Sequence, residues 1–392
     1  MLTKTRISDH AFLATFATPE GAHEHFLTIT GDPGAGFPQS LAHVEAHYAS
    51  ALRAAGLSEE TQIFTRVYLG DVANQAPILR QSALYKQLET GAVSAVGEAC
   101  LNGGAACLFS YHVTGTGNAY PRQKITDPGA HRNSLLLSMR NYSILWNAGF
   151  CGTGQVDSCA QTQEVFGAFG GIVGDEKMSL LSNTIRTWVF VRDIDNNYAD
   201  MVKARREFFA AHNLTEKTRY LASTGIEGKS EAVNSLVTID ALSIGGLRDG
   251  QISRMDALDN MPRTIDYGVT FERGLRVRFG DRSHLYVSGT ASIDKGGKVL
   301  HPGNVRAQTE RTIENVTALL GTEGGTLGDL AYLFVYVRNF HDYDAVRETL
   351  ASRIAGDLPV LYLHGAVCRP AWLVEMEGVA IASDSTGFLP FV

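Results

Sequence analysis

The sequence predicts an α+β protein of three tandem units, each a mixed sheet with helices on one face, closed into a pseudo-threefold ring within a single chain. Three observations predict it. The 392 residues carry the same order of elements three times: a strand, a helix, a strand ending in a polar step, a second helix, then closing strands. Each copy is roughly 100 residues or more, the size of a domain and not of a solenoid repeat. Closing strands that return to their own sheet make it mixed, and the face without helices must be buried; the two sister copies are at hand to bury it.

The first copy, residues 1–133, is the most worn. It has a strand at His25 to Thr30, a helix with Leu41, Val44, Tyr48 and Leu52 on one face, a strand at Thr65 to Asp71 and a closing strand at Cys107 to Val113. The second, residues 134–266, repeats Ala160-Gln161-Thr162 in its first helix against Ala307-Gln308-Thr309 of the third. Its strand Val189-Phe190-Val191-Arg192-Asp193 echoes Val335-Tyr336-Val337-Arg338-Asn339. Its second helix carries Tyr198, Met201, Val202, Arg205, Phe208 and Phe209 on one stripe, and Asn234 to Leu242 closes it. The third, residues 267–392, is the clearest. Leu285 to Thr290 is a strand running into a turn, and Val305 to Leu320 is a helix with Val305, Thr309, Ile313, Val316 and Leu320 on one face. Leu333 to Arg338 is a strand, Asp342 to Ile354 a helix, and Pro359 to Ala366 with Leu373 to Ala382 are expected as a closing hairpin. Residues 114–133 and 243–266, rich in Gly, Pro, Asp and Arg, read as linkers.

Composition narrows the function classes. A net charge of −7 without a run of basic residues excludes a nucleic-acid partner, because phosphate backbones would be repelled. No apolar stretch has the length of a membrane span, and the first residues have no signal-peptide core, so a cytoplasmic protein with no membrane contact is expected. The cysteines (Cys100, Cys107, Cys151, Cys159, Cys368) are odd in number and form no Cys-x-x-Cys pair, which favours a reducing compartment over a structural zinc site. Gly31 to Gly36 lacks the Gly-Lys-Ser/Thr ending of a phosphate loop, and Gly152-Thr153-Gly154 lacks dinucleotide spacing. His43 and His47 lie one helical turn apart and are expected to face water. No cofactor and no metal are therefore expected.

The chemistry points to the last strand. Leu373 to Ala382 has a buried strand's composition interrupted by Glu375 and Glu377, which alternation places on one face. An ionised carboxylate is costly to take out of water, so this face is either solvated or part of a site, and a glutamate held neutral by desolvation is a general acid. Cys368 is either a small core residue or a pocket wall. Ser288-Gly289-Thr290-Ala291-Ser292 is either a plain strand-to-loop turn or a place where a ligand approaches backbone N–H groups. Arg192, Arg338 and Arg369 read as strand-end or surface residues.

The order of elements, the Ser288-Gly289 turn and the Glu375-x-Glu377 strand resemble the Rid (YjgF) superfamily, usually homotrimeric and here fused in one chain of Rid or chorismate-mutase-like units. Over roughly the last 240 residues the chain resembles the chorismatase branch, through Leu285 to Ile293, His301-Pro302-Gly303-Asn304-Val305, Ala307-Gln308-Thr309 and Val367-Cys368-Arg369 to Gly378. The resemblance implies a hydrolase or lyase that releases pyruvate from chorismate or a related cyclic acid. It implies Glu375 as acid/base, Cys368 as a pocket residue that helps select the product, and Arg273 as a carboxylate ligand. Tyr267, Ser288, Gly289 and Ala291 would line the site. One of the two arginines usual in this family before the third unit is missing from Tyr267 to Arg273. Two alternatives remain: an imine or enamine deaminase of the Rid type using Arg219 or another arginine with an activated water, and a non-catalytic small-acid binding protein. The expected partner is a small carboxylic acid, and the chain is expected as a monomer or an oligomer of whole pseudo-trimers.

Overall fold

The computed structural model describes residues 1–19, 21–102, 104–115, 120–127, 132–354 and 356–392. In the first unit β1 (Leu2–Ser8), β2 (Ala11–Phe16) and β3 (His23–Thr30) form an antiparallel meander. Helix α1 (Phe37–Ala55) leads to β4 (Gln62–Leu69), and α2 (Val72–Gln81) with α3 (Ala83–Leu88) leads to β5 (Ala92–Val96), parallel to β4. After the short β6 (Ala99–Cys100), β7 (Ala106–Thr114) inserts between β3 and β4, giving the order β1-β2-β3-β7-β4-β5. The second unit has β8 (Arg122–Asp127), β9 (Arg132–Ser138), β10 (Ser143–Cys151), α4 (Ser158–Asp175), α5 (Leu180–Asn183), β11 (Thr184–Val191), α6 (Ile194–Ala211), β12 (Ala222–Glu227) and β13 (Val237–Gly245). The third has β14 (Ile252–Arg254), β15 (Gly274–Arg278), β16 (Arg282–Ala291), α7 (Val305–Gly321), β17 (Leu330–Val337), α8 (Tyr343–Arg353), β18 (Val360–His364) and β19 (Val374–Ser383). Their orders, β8-β9-β10-β13-β11-β12 and β14-β15-β16-β19-β17-β18, repeat that of the first unit. Strand β6 crosses from the first unit to extend the third sheet beside β18.

Local signals set the helices. Pro38 opens α1, Gly56 closes it at φ 64°, and Leu41, Val44, Tyr48 and Leu52 are buried as their spacing predicts. Asp157 caps α4 and Asn304 caps α7, each accepting from the backbone N–H three residues on. Among the described residues no helix is long and apolar enough to cross a membrane.

The sequence reading needs three corrections. Residues 359–366 and 373–382 do not form a hairpin: β17 lies between β18 and β19, parallel to the first and antiparallel to the second. The chain between them crosses the end of β17, where Gly365 N–H donates to Val337 and Arg338 N–H donates to Leu373. The expected linkers hold structure, since Arg122–Asp127 is β8 in the second sheet and Ile252–Arg254 is β14 in the third; residues 116–119 and 128–131 of the first lie outside the described residues. His43 and His47 turn from water onto Asp32 and are only partly exposed.

The three sheets turn their helix-free faces toward one another. Phe64 of the first unit stacks on Trp146 of the second at 4.1 Å, Phe109 of the first meets Tyr332 of the third at 4.5 Å, and Trp188 Nε1 of the second donates to Glu377 of the third at 2.8 Å, so each unit's inner face packs on its neighbours. Three buried ion pairs close the ring. Arg66 holds Asp240 at 2.7 Å between first and second units, Arg186 holds Glu377 between second and third, and Arg282 holds Glu24 at 2.8 Å between third and first. Burial pushes the Glu24 carboxyl up, but His284 and Arg282 outweigh it and hold it at about 2. Such pairs fix how the units dock, because any other register strands a charge away from water.

Candidate functional site

A narrow cleft with about 50 Å³ of free space opens between the second and third units. Bridges from Ala222 to Glu272 and from Ile226 to Val367 hold β12 of one unit against the third. Glu375 forms its floor. On β19 it pairs opposite Ala291 of β16 and Tyr336 of β17, and it is 5% exposed. Burial first, and the charge of Glu377 second, push its carboxyl up to about 8 against the pull of Arg273 and Arg186. Its Oε1 has no hydrogen-bond partner among the described residues. Gly289 makes the room: a Cβ there would sit 2.5 Å from that oxygen.

Two residues on, Glu377 has the opposite surroundings. Arg186 and the Thr224 hydroxyl donate to it, as do Trp188 Nε1 and the Tyr336 hydroxyl, each at 2.8 Å. Of the two readings of this strand face, Glu377 is the structural partner and Glu375 the carboxyl left facing the cleft.

Three guanidiniums line the cleft with it. Arg273 is anchored through Nε to the Pro262 carbonyl at 3.1 Å and lies over Tyr267 at 5.3 Å and Phe271 at 5.8 Å, with its Nη2 buried and without a hydrogen-bond partner among the described residues. Arg205, from α6, sits over Phe271 at 5.9 Å beside Tyr198 and reaches Ser223 Oγ only at 3.5 Å; among the described residues its Nε and Nη2 are buried without a geometric hydrogen-bond partner. Arg369 donates to the Gly297 carbonyl at 3.0 Å and lies over Tyr267 at 4.9 Å and Trp372 at 4.7 Å. Buried donors left open are costly unless a ligand accepts from them. One carboxyl, three guanidiniums and no imidazole among the lining residues suit an anionic molecule and not a metal cation.

Of the residues expected from sequence, Glu375, Cys368, Arg273, Tyr267, Gly289 and Ala291 line the cleft. The Cys368 thiol is pushed up to about 12 by burial and by the charge of Glu375, so it is a neutral wall and no nucleophile. Ser288 is turned away, donating to the Glu272 carbonyl at 2.6 Å and accepting from Ser223 N–H at 2.9 Å. The Gly289 N–H is already given to Thr224 Oγ1 at 3.0 Å, so it is not free for an oxyanion. Arg219 is no ligand either. Its guanidinium donates to the carbonyls of Leu181, Thr184 and Tyr220, satisfying the end of α5.

Sequence reasoning missed Arg205, Tyr198, Phe271 and Trp372, and took Arg369 for a surface residue. Arg205 and Tyr198 did leave a signal, as an arginine and a tyrosine in an otherwise apolar helical stripe.

Pairing register aligns the three units residue by residue. Glu375 lies opposite Tyr336, Thr238 opposite Phe190, and Cys107 opposite Tyr68. Only the third unit places a carboxyl at this position.

Residues 277–382 match the family Endoribonuclease L-PSP, which makes the C-terminal part a Rid-type domain. A chorismatase of Streptomyces hygroscopicus is 29% identical over 212 residues, covering 50% of this chain and 60% of that protein. A chorismatase of Streptomyces rapamycinicus is 38% identical over 108 residues, 25% of this chain and 32% of that protein. The chain thus spans between a third and three fifths of the length of these curated relatives. The crystal structure of a chorismatase superposes with a TM-score of 0.63 at 20% identity, covering 82% of this chain and 93% of that one, and shows the common fold.

Proposed function

We propose that the chain is a chorismatase-type enzyme, cleaving the enolpyruvyl ether of chorismate or a related cyclic acid to release pyruvate, with Glu375 as the general acid. The observation that carries this reading is the Glu375 carboxyl, buried, without a partner on Oε1 and raised to about 8, facing buried guanidiniums with open donors. Chorismate is a dianion, and Arg273 with Arg205 supplies two charges for two carboxylates; Arg205 stands in for the arginine missing before the third unit. The aromatic shelf of Tyr267, Phe271 and Trp372 would flank the ring.

In the reaction, Glu375 gives its proton to the terminal methylene carbon, and the ether carbon becomes an oxocarbenium centre stabilised by the ether oxygen. The carboxylate left behind is a matched counter-charge. Water adds to that centre, and the hemiketal then collapses with cleavage of its C–O bond to the ring. Pyruvate and a ring alcohol leave, and the proton released by the water restores Glu375. Protonation of carbon is slow in water, so a carboxylic acid still protonated near neutrality and fixed in place is the needed device. The deaminase alternative loses Arg219, which is spent on three carbonyls, and would have to use another arginine of the cleft.

The test is incubation of the purified protein with chorismate, reading pyruvate with lactate dehydrogenase and NADH. Saturable release that is lost in Glu375→Gln supports the reading. Chorismate that raises the melting temperature without any turnover would leave a binding protein. Neither turnover nor a shift would overturn the substrate.

A further inference from the structure

The first unit gathers a second set of functional side chains far from the cleft. His10 ends the β1–β2 turn, Asp32 follows β3, and His43 and His47 stand one turn apart on α1. In sequence they are scattered, and no zinc spacing is legible. In the fold all four meet at the Asp32 carboxylate. His47 Nε2 is 3.0 Å from Oδ1, His10 Nε2 is 3.2 Å from the same oxygen, and His43 Nδ1 is 2.8 Å from Oδ2. The His10 and His47 rings stack at 4.7 Å.

Several details make this more than a polar surface. The His43 Nδ1 makes no hydrogen bond despite its approach to Asp32, so a buried ring nitrogen faces the carboxylate unspent. His10 is oriented from behind: its Nδ1 lies 3.4 Å from the Thr30 hydroxyl and its carbonyl accepts from Thr30 N–H at 2.9 Å, which turns Nε2 inward. Metal-binding imidazoles are commonly held through the other nitrogen in this way. The nearest arginine on this turn, Arg6, is paired with Asp9 at 2.7 Å and does not compete for Asp32. The side chains remain 26–37% exposed, so an ion can enter from solvent.

The distances also fit. In a tetrahedral zinc site with bonds of about 2.05 Å, donor atoms stand about 3.3 Å apart. A nitrogen of His10, one of His47 and an Asp32 oxygen lie within 4.8 Å of one another, close enough to converge on one ion, while His43 reaches only the second Asp32 oxygen. Two imidazoles and one carboxylate are a borderline donor set, suited to zinc and not to calcium or magnesium.

We propose that His10, Asp32 and His47 bind one divalent transition-metal ion of the zinc class in the first unit, with His43 beside the second Asp32 oxygen. The ion would clip the β1–β2 turn and the end of β3 to α1. It stands apart from the chemistry of the cleft, where none of these residues lies.

The test uses tag-free protein stripped with a chelator, titrated with Co²⁺ and followed in the visible spectrum. One equivalent should give the intense bands of a four-coordinate site, Zn²⁺ should bleach them, and Zn²⁺ should raise the melting temperature by a few degrees. Asp32→Asn and the double variant His43→Gln/His47→Gln should lose the bands and the shift while keeping the circular dichroism spectrum and metal-free melting temperature of the parent. The inference fails if the parent shows no saturable Co²⁺ spectrum, or if both variants bind as the parent does.

Discussion

Replacing Glu375 by Gln separates its proton from its shape. The amide fills the same volume beside Gly289 but has no proton to give to carbon. With the carboxyl at about 8, roughly nine tenths of the free protein carries that proton at pH 7. General acids contribute about 10²–10⁴ in rate, so kcat for pyruvate release should fall by that factor with KM within a few-fold. The wild-type kcat/KM should be flat below pH 8 and fall about tenfold per unit above it, and the variant should lack this limb. Stability gives an independent readout of the same group. A carboxyl raised from 4.5 to about 8 on folding leaves stability untouched below pH 4.5, lowers it progressively as pH rises between those values, and holds the full loss above 8. A shift of this size corresponds to a loss on the order of 3–5 kcal/mol in the wild type. Glu375→Gln should therefore melt at or above the wild-type temperature at pH 7, and further above it at pH 9. The assay is coupled pyruvate detection from pH 5.5 to 9.5, with thermal melts over the same range. Wild-type turnover in the variant, or a kinetic limb near the ordinary carboxyl value, would refute the reasoning.

Three further outcomes follow from the same geometry. Arg205→Met and Arg273→Met should each raise KM for a dianionic substrate about 10–100-fold, the worth of a charge-assisted hydrogen bond, with smaller changes in kcat; steady-state kinetics distinguish this from a purely structural role, which would lower stability and leave KM alone. Gly289→Ala should cut kcat while the protein stays folded, because its Cβ would displace the Glu375 carboxyl and press on Thr224; crystal density for Glu375 in its original place would count against this. Arg66→Met should lower stability by about 3–5 kcal/mol, since it strands the Asp240 carboxylate in a buried interface with only Gly149 N–H at 2.7 Å still donating; a melting temperature within a degree of the parent would show that the ring of ion pairs is not what holds the units.

Much of the fold was legible because helix stripes and strand composition repeat at one spacing. Leu41, Val44, Tyr48 and Leu52 on α1, or Thr309, Ile313, Val316 and Leu320 on α7, announce their buried faces directly. Strand order was not legible. Both β18 and β19 look like partners in sequence, and only the crossing of residues 365–373 over β17 makes one parallel and one antiparallel. The opening hairpins were hidden for a different reason: β1, β8 and β14 are edge strands, half polar and short of apolar alternation. At the site, Glu375, Cys368, Arg273 and Tyr267 of the third unit were found, while Phe271, Trp372 and Arg369 of the same unit and Tyr198 and Arg205 of the second were not. A charge on a neighbouring unit's helix, such as Arg205, has no sequence neighbour to reveal it, and Arg219 misled because an arginine near a strand end caps carbonyls as readily as it binds a ligand.

The comparison of the three units explains why a ring with threefold pairing keeps one cleft with this chemistry. In all three, the residue two before the inner-face position at the ion-pair ring is buried, and among the described residues only in the third does it line a cleft. There the second offers Thr238 and the first Cys107, while the third offers Glu375. The inner position itself is acidic in two units, Asp240 and Glu377, and is Phe109 in the first, where the third ion pair is made instead by Glu24 of β3 with Arg282. Glu377 and Glu375 therefore share a strand face but divide two tasks that conflict in one residue. Docking the units needs an ionised carboxylate surrounded by donors, and protonating carbon needs a neutral one with none. Glu377 takes the four donors, and its charge helps keep the proton on Glu375. The acid of the cleft is thus set by the contact that closes the ring, and loosening Arg186 from Glu377 should disturb the titration of Glu375 together with the packing of the second unit on the third.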